Sequence, residues 1–343
     1  MNILLISPLG FAINEKKTYA GIEMLVWEFS RELNKNHEVT VLGHVDSVYP
    51  EGVTHLSFDP TGLDQFIEAE RKQYQAYQYT LRQFDVIHDF SHQHFASRFN
   101  HLPTLNIFWH APQLAQYPKA PYNIIALSKW AAREYPKYYK GQQARYQQSI
   151  ILDTDLYVPG DKPRNDRFFT FGRMSPEKGN LRAAFLCSDL RLPLDVAGGR
   201  GVELEGQPLT RYEQELMAVC NSTPCINFRG PLNDEHKIGI MQTCKALIYM
   251  TDHPEVTSHK IQEAMLCGAP VIVPHLGALP EIVTHGVDGF LCRTEEDFYE
   301  AVQKVGSLTP SVTRGAIVQK YGIKQVIEGY LPLYEEVASG LRW

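Results

Sequence analysis

The sequence predicts an α/β protein made of two doubly wound parallel sheets. Short apolar runs alternate with polar loops and with segments of helical spacing, which is typical of parallel sheets covered by helices. The alternation starts again after residues 158–167, a stretch rich in Pro, Gly and charge. The length of 343 residues also suits two domains of about 100–200 residues each.

The first half begins with the apolar run NILLIS, which is typical of a strand buried on both faces. A helix is predicted next, because apolar residues recur at helical spacing. These residues are Ile22, Leu25, Val26, Phe29 and Leu33. Further strands are predicted, in chain order, at HEVTVLG, FDVIHDF, TLNIFWH and NIIALS.

The second half predicts another sheet of the same kind. Its strand candidates are FFTFG, LPLDVAGG, PCINFRG, KALIYM and APVIVP. We therefore predict one Rossmann-like domain at residues 1–160 and a second at 161–322. A helical segment at 323–343 is expected to pack back on the first domain, and Pro332 is expected to kink or break it.

Composition narrows the class of protein. A net charge of −6 argues against nucleic acid as the main partner. The six cysteines form no C-x-x-C pair, which fits buried thiols in a reducing compartment. The N-terminus has no basic leader, and no apolar run approaches the roughly 20 residues of a membrane span. We expect a cytoplasmic protein whose contact with a membrane is at most peripheral.

Ligands of doubly wound sheets bind at the carboxyl ends of the strands, so the loops there hold the candidate site residues. The loop FGRMSPEKG follows the first strand of the second domain and contains Arg173 and Lys178. A guanidinium that grips two oxygens and a mobile ammonium together suit a pyrophosphate. An ordinary solvated loop is the alternative interpretation.

Glu255 and Glu263 lie in the stretch that follows KALIYM. Eight residues span about 2.2 helical turns, so both carboxylates can face one site and accept bonds from vicinal sugar hydroxyls. Thr257 or Ser258 can cap the helix, whose N-terminal N–H groups favour anions. Alternatively, Asp252 and Glu255 form a capping box, and Glu263 is an exposed helix residue.

Five segments occur in an order and spacing that resemble the retaining glycosyltransferases of family four. They are GRMSPEKG, AGG, FRGPLNDEHKIGIM, HPEVTSHKIQEAMLCGAPVI and GALPEIVTHGVDGFLC. The resemblance covers nearly the whole chain and is looser in the first half, where YAGIE stands for the family's Gly-Gly loop. It implies the GT-B fold, in which two facing Rossmann-like domains enclose a cleft, with the acceptor side on the first and the donor on the second.

The resemblance also implies a role for each candidate residue. Arg173 and Lys178 would bind the donor diphosphate, and Glu263 would hold the ribose. The donor sugar would be held by Glu255, with the segment Thr257, Ser258 and His259. The remaining roles fall to Gly21 in the phosphate and sugar loop, His110 beside the reacting sugar, and Arg229 with the backbone of 228–230 at the base.

The implied activity is transfer of a hexose from a nucleotide-diphosphate donor, such as UDP-glucose, without a metal or other cofactor. The acceptor would be a growing polysaccharide, a glycolipid or a small glycoside. A sugar-nucleotide epimerase on the same fold and a non-catalytic nucleotide-binding subunit are the rivals. Two departures from the family make the non-catalytic subunit credible. Ala20 stands where the family has a glycine, and Thr257-Ser258 stands where it commonly has Phe-Gly.

Three other motifs are weaker signals. Asp153 and Asp155 imitate a metal-binding Asp-x-Asp, but they precede the predicted linker and are interpreted as ordering a hinge. A zinc site is the alternative to a packing role for His88, His92 and His94. The run GGRG at 198–201 is not a dinucleotide fingerprint, which argues against a nicotinamide or flavin enzyme.

The region 117–146 interleaves basic residues with tyrosines. A solvated face is one interpretation of this pattern, and a membrane surface or a carbohydrate acceptor face is the other.

Overall fold

The computed structural model describes residues 1–14, 21–63, 66–99, 101–109, 121–139, 142–150, 152–200 and 206–343. The chain divides into two compact units. Unit 1 comprises Met1–Ile151 and Ile323–Trp343, and unit 2 comprises Leu152–Gly322.

Unit 1 contains a seven-stranded sheet in which all neighbouring strands are parallel. Its strands are β1 (Asn2–Ile6), β2 (Glu38–His44), β3 (Thr54–Phe58), β4 (Val86–Asp89), β5 (Thr104–Phe108), β6 (Ile124–Ala126) and β7 (Ala144–Tyr146). Their spatial order is β3-β2-β1-β4-β5-β6-β7. The central strands are buried because helices cover both faces of such a sheet, and every residue of β4 and β5 is buried.

The helices of unit 1 are α1 (Gly21–Leu33), α2 (Phe66–Tyr77), α3 (Phe95–Phe99), α4 (Lys129–Tyr138) and, after unit 2 in the chain, α12 (Ile323–Ala338). The predicted apolar stripe of α1 is confirmed at Leu25, Val26, Phe29 and Leu33, which are buried. Ile22 is only half-buried.

Helix α12 runs through Pro332 without the break that the sequence suggested. It buries Val326, Ile327, Tyr330, Tyr334 and Val337 at helical spacing. Tight packing along this whole face offsets the single backbone hydrogen bond that a proline removes.

Unit 2 contains a six-stranded sheet, again with all neighbouring strands parallel. Its strands are β8 (Phe168–Phe171), β9 (Leu194–Ala197), β10 (Ile226–Gly230), β11 (Leu247–Ile248), β12 (Val271–Pro274) and β13 (Gly289–Cys292). The helices are α5 (Asn180–Asp189), α6 (Arg211–Ser222), α7 (Asp234–Thr243), α8 (His259–Leu266), α9 (Leu279–Ile282), α10 (Glu295–Lys304) and α11 (Pro310–Tyr321). The two parallel sheets with their helices confirm the predicted fold class.

Strand order fixes where each sheet can hold a ligand. In unit 2 the order is β10-β9-β8-β11-β12-β13, so the direction of winding reverses between β8 and β11. The loops that follow these two strands turn away to opposite sides and leave a crevice at their carboxyl ends. The loop with Lys178 follows β8 and the loop with Glu255 follows β11, so both border this crevice.

Candidate functional site

Two loops meet at the carboxyl ends of β8 and β11. A short 3-10 turn, Pro176–Lys178, follows β8 and ends at Gly179, whose φ of +66° lies in the left-handed region. A Cβ at Gly179 would lie 2.3 Å from the carbonyl carbon of Met250, which follows β11. The hydroxyl of Thr251 donates to the carbonyl of Glu177 at 2.8 Å. Close backbone contact therefore fixes Lys178 against the loop that carries Glu255.

Glu255 is bound by a lysine and a tyrosine. The Lys178 ammonium donates to its Oε1 at 3.1 Å, and the Tyr249 hydroxyl donates to the same oxygen. The main chain of Glu255 is held as well, since its carbonyl accepts from Ala278 N–H at 2.9 Å. The side chains of Lys178 and Glu255 are 27% and 21% exposed, so the pair is accessible to a ligand from solvent.

Glu263 pairs with a lysine, and a tyrosine lies beside this pair. The Lys237 ammonium lies 3.1 Å from its Oε2 and 2.8 Å from Oδ1 of Asp234. The Lys237 ammonium also lies 3.5 Å from the Tyr157 hydroxyl, which places this phenol beside the lysine–glutamate pair. Burial raises the pKa of Glu263, although the charge and hydrogen bond of Lys237 act in the opposite direction.

Helix α8 begins at His259, with Ser258 in extended conformation at the N-cap position. The alternative of a capping box from Asp252 to Glu255 is therefore wrong, because Glu255 lies in the loop before the helix. The Thr257 hydroxyl accepts from Nε2 of Gln262 at 3.5 Å. Burial lowers the pKa of His259 to about 4, so its imidazole is neutral at pH 7.

Lys260 is a further cation at the start of α8. Its ammonium donates to the carbonyl of Phe171 at 2.6 Å and lies 3.8 Å from the centre of the Tyr249 ring. Burial, together with the nearby charge of Lys178, lowers the pKa of Lys260 to about 7. The helix thus brings a third lysine to the end of β8, beside the residues that hold Glu255.

Arg173 and Arg229 make contacts apart from the two glutamates. The Arg173 side chain is 50% exposed and lies 3.2 Å from Oε1 of Glu177. Arg229 donates to Asp195 on the neighbouring strand at 3.2 Å. Burial would raise the pKa of Asp195, but hydrogen bonds from Arg167, Arg229 and Asn227 hold it below the ordinary value.

In unit 1, Gly21 is an exposed residue at the start of α1. His110 and Ala20 lie outside the described residues. His88 is fully buried, its Nδ1 lies 2.7 Å from the Tyr334 hydroxyl, and burial lowers its pKa well below the ordinary value. The ring of His94 stacks on Phe108.

The remaining motifs that imitate metal sites have local structural contacts. The His92 N–H donates to Glu70 at 2.9 Å. Oδ1 of Asp153 accepts from the N–H groups of Asp155 and Leu156 at 2.9 and 2.8 Å, which orders a turn. Within the described ranges, no group of three or more His, Cys, Asp or Glu side chains is placed to hold a metal ion.

Glu255, Glu263 and Lys178 were predicted from the sequence, but four residues that contact them directly or through one neighbour were not. They are Tyr157, Lys237, Tyr249 and Lys260. Two of these stood in motifs already singled out, since Lys237 belongs to FRGPLNDEHKIGIM and Lys260 follows His259. Their position, as lysines in a loop or helix after a strand, was the pattern that could have identified Lys237 and Lys260. No sequence pattern indicated Tyr157 or Tyr249.

Several solved glycosyltransferase structures resemble this chain. A family described as glycosyl transferases group 1 matches residues 166–307. A glycosyltransferase involved in avilamycin A biosynthesis is 19% identical, with 100% of each chain covered and a TM-score of 0.71. HepE from Anabaena, solved with UDP-glucose, is 18% identical over 99% of this chain and 100% of its own, with a TM-score of 0.70.

Sucrose-phosphate synthase from Thermosynechococcus elongatus is 15% identical over 99% of this chain and 100% of its own, with a TM-score of 0.73. No curated protein sequence matches this chain. The TM-scores show a shared fold, although the sequence identities are low. The chain therefore has the two-domain GT-B fold of these glycosyltransferases, and residues 166–307 of unit 2 match the glycosyl transferases group 1 family.

Proposed function

We propose that this protein is a retaining glycosyltransferase of family four that transfers a hexose from a UDP-hexose such as UDP-glucose. The observation that carries the proposal is the contact of Lys178 with Glu255 at the crevice between β8 and β11. One group there suits a diphosphate and the other suits sugar hydroxyls. The family match over residues 166–307 and the UDP and UDP-glucose bound to Anabaena HepE support the same donor.

The proposal assigns each part of the donor to a group in unit 2. Lys178 and Arg173 bind the diphosphate, and Glu263 accepts the ribose hydroxyls. Glu255 holds the sugar, together with the segment 257–259, and Arg229 borders the base. The first turn of α8 adds backbone N–H groups, which stabilise anions because of the helix dipole.

The chemistry follows from this arrangement. The bond between the anomeric carbon and the diphosphate oxygen breaks, and the bonding electrons leave with the phosphate. Cations positioned at the leaving group stabilise its growing negative charge, which takes the place of a divalent metal. In the proposed retaining reaction the acceptor attacks the same face of the sugar, and the departing phosphate takes the acceptor's proton.

The acceptor is proposed to be a growing polysaccharide, a glycolipid or a small glycoside, with His110 of the first domain beside the reacting sugar. We also propose that the protein is cytoplasmic and contacts a membrane peripherally. Lys129, Arg133 and Lys137 are exposed at a spacing of four residues on α4, which suits an anionic surface. Among the described residues, no helix is both long and apolar enough to cross a bilayer.

Thermal unfolding with a panel of ligands tests the donor. UDP and UDP-glucose at 100 times the dissociation constant should each stabilise the protein by about 2.7 kcal/mol, an easily measured rise in Tm. GDP, ADP and uridine at the same concentrations are the controls. A Tm that none of the nucleotides changes would contradict the proposal.

Product analysis separates the proposed transferase from its two rivals. With UDP-glucose and no acceptor, NMR should show slow release of α-glucose, the configuration that retention gives. Formation of a different UDP-sugar would indicate an epimerase. Binding without any consumption of UDP-glucose, with or without sugar and glycolipid acceptors, would indicate a non-catalytic nucleotide-binding subunit, and release of β-glucose would contradict retention.

A further inference from the structure

Glu255 and Glu263 of the candidate site have similar surroundings. Each carboxylate is bound by one lysine ammonium, and a tyrosine hydroxyl contacts each of these two pairs. Lys178 and Tyr249 bind Glu255, whereas Lys237 binds Glu263 and lies 3.5 Å from the Tyr157 hydroxyl. Lys178 belongs to the proposed diphosphate site, and Lys237 balances the charge of Glu263. The family resemblance assigned no role to either tyrosine.

Tyr249 is fixed by its surroundings. It directly follows β11 and is fully buried, and the ammonium of Lys260 lies 3.8 Å from its ring centre. Burial, and then the charge of Glu255, raises the pKa of Tyr249, so the phenol stays protonated and donates to the carboxylate. Lys178 and Tyr249 both bind Oε1 of Glu255. Neither group therefore occupies Oε2 of Glu255, which can accept a hydrogen bond from a sugar hydroxyl.

Tyr157 is held through its main chain and its ring. Its N–H donates to the carbonyl of Asp153 at 3.1 Å, and its carbonyl accepts from Nη1 of Arg314 at 2.5 Å. The ammonium of Lys237 lies 5.6 Å from its ring centre and 3.5 Å from its hydroxyl. With 7% exposure, the side chain has little freedom to turn away from Lys237.

We propose that Tyr249 and Tyr157 are positioning residues. Tyr249 orients Glu255 for the donor sugar, and Tyr157 orients Glu263 for the ribose by holding Lys237. A carboxylate bound only by a flexible lysine can rotate, and a hydroxyl on a rigid aromatic ring that binds the carboxylate or its lysine restricts this motion. The inference rests on the proposed function, because it takes from it the part of the donor that each glutamate binds. It goes further in assigning each tyrosine to a different kinetic step.

The test replaces each tyrosine by phenylalanine, which keeps the buried ring and removes only the hydroxyl. UDP affinity is measured by calorimetry, and kcat and KM are measured for hydrolysis of UDP-glucose. Tyr249→Phe should keep UDP affinity within about twofold and lower kcat at least tenfold, because alignment of the sugar matters most in the transition state. Tyr157→Phe should weaken UDP and raise KM by a similar factor, about five- to tenfold, with kcat nearly kept.

Tyr249→Phe should keep its UDP affinity and Tyr157→Phe should keep its kcat. Each retained value also shows that the variant is folded. Tyr77→Phe is the matched control, since it removes a phenol that donates to the carbonyl of Ser57 in unit 1. Tyr157→Phe combined with Glu263→Gln should bind UDP no more weakly than Glu263→Gln alone, because the two side chains act as one unit. A lower Tm with unchanged UDP affinity and unchanged kcat in both variants would overturn the inference and leave the tyrosines as packing residues.

Glu255→Gln and Glu263→Gln separate the two possible failures. If these variants show the expected split and the tyrosine variants behave as wild type, only the positioning role is overturned. If the glutamate variants themselves keep wild-type UDP affinity and turnover, the donor site of the proposed function fails and the inference fails with it.

Discussion

Replacing Lys178 by methionine should weaken UDP binding and leave uridine binding unchanged. Methionine keeps most of the aliphatic stem and removes the ammonium that the proposal places on the diphosphate. A charge-assisted hydrogen bond of this kind is worth about 1.5–3 kcal/mol. In the free protein the ammonium already pairs with Glu255 at 3.1 Å, and breaking such a partly exposed pair costs about 0–1 kcal/mol.

The difference leaves about 0.5–3 kcal/mol, so the dissociation constant for UDP should rise about 2- to 150-fold. Isothermal titration of UDP and uridine into both proteins measures the two affinities. Lys304→Met is the control, because Lys304 also pairs with a glutamate, at 2.8 Å, but lies on the exposed side of α10. Equal UDP affinity in wild type and Lys178→Met would refute the diphosphate assignment.

Three further predictions concern metal, backbone conformation and pH. Glycosyl transfer should survive EDTA, and a complete loss that Mg²⁺ or Mn²⁺ restores would contradict the cationic diphosphate site. Gly179→Ala should lower the free energy of unfolding by about 2–4 kcal/mol, since the new Cβ would overlap Met250. Gly206→Ala is the control, because Gly206 also has a positive φ of +74° but open space around it. It should lower the free energy of unfolding by less in the same urea titration. Burial, despite two backbone hydrogen bonds, raises the pKa of Glu70 to about 8, so the folded state keeps a proton that the unfolded chain releases above its ordinary pKa of 4.5. Between pH 5 and 8 wild type should lose stability relative to Glu70→Gln, by up to about 1.4 kcal/mol per pH unit, and parallel urea-unfolding profiles would contradict this.

The strands in the interior of each sheet could be predicted from the sequence. A parallel strand covered by helices on both faces needs a continuous apolar run, and such runs are visible without any tertiary information. The strands that were missed are β3, β7 and β13, and each lies at an edge of its sheet. The burial of β3 and β7 is incomplete along their length, so neither carries that apolar signal.

The chemical character of the site was also predictable in part. The loops after strands hold the charged residues, and the motif containing Glu255 and Glu263 follows an apolar run in the sequence itself. The partners of these residues were not predictable. Lys178 and Glu255 are 77 positions apart, and they meet because the order of strands places β8 next to β11.

Local spacing determined that two glutamates follow one strand, but tertiary structure decided what holds each of them. Helix α8 begins only at His259, so the loop conformation rather than helical periodicity sets the direction of Glu255. The Tyr157 hydroxyl reaches the Lys237–Glu263 pair from a segment that precedes the whole sheet of unit 2. Such contacts depend on how separate elements pack, and a sequence pattern reports only neighbours along one strand or one helix.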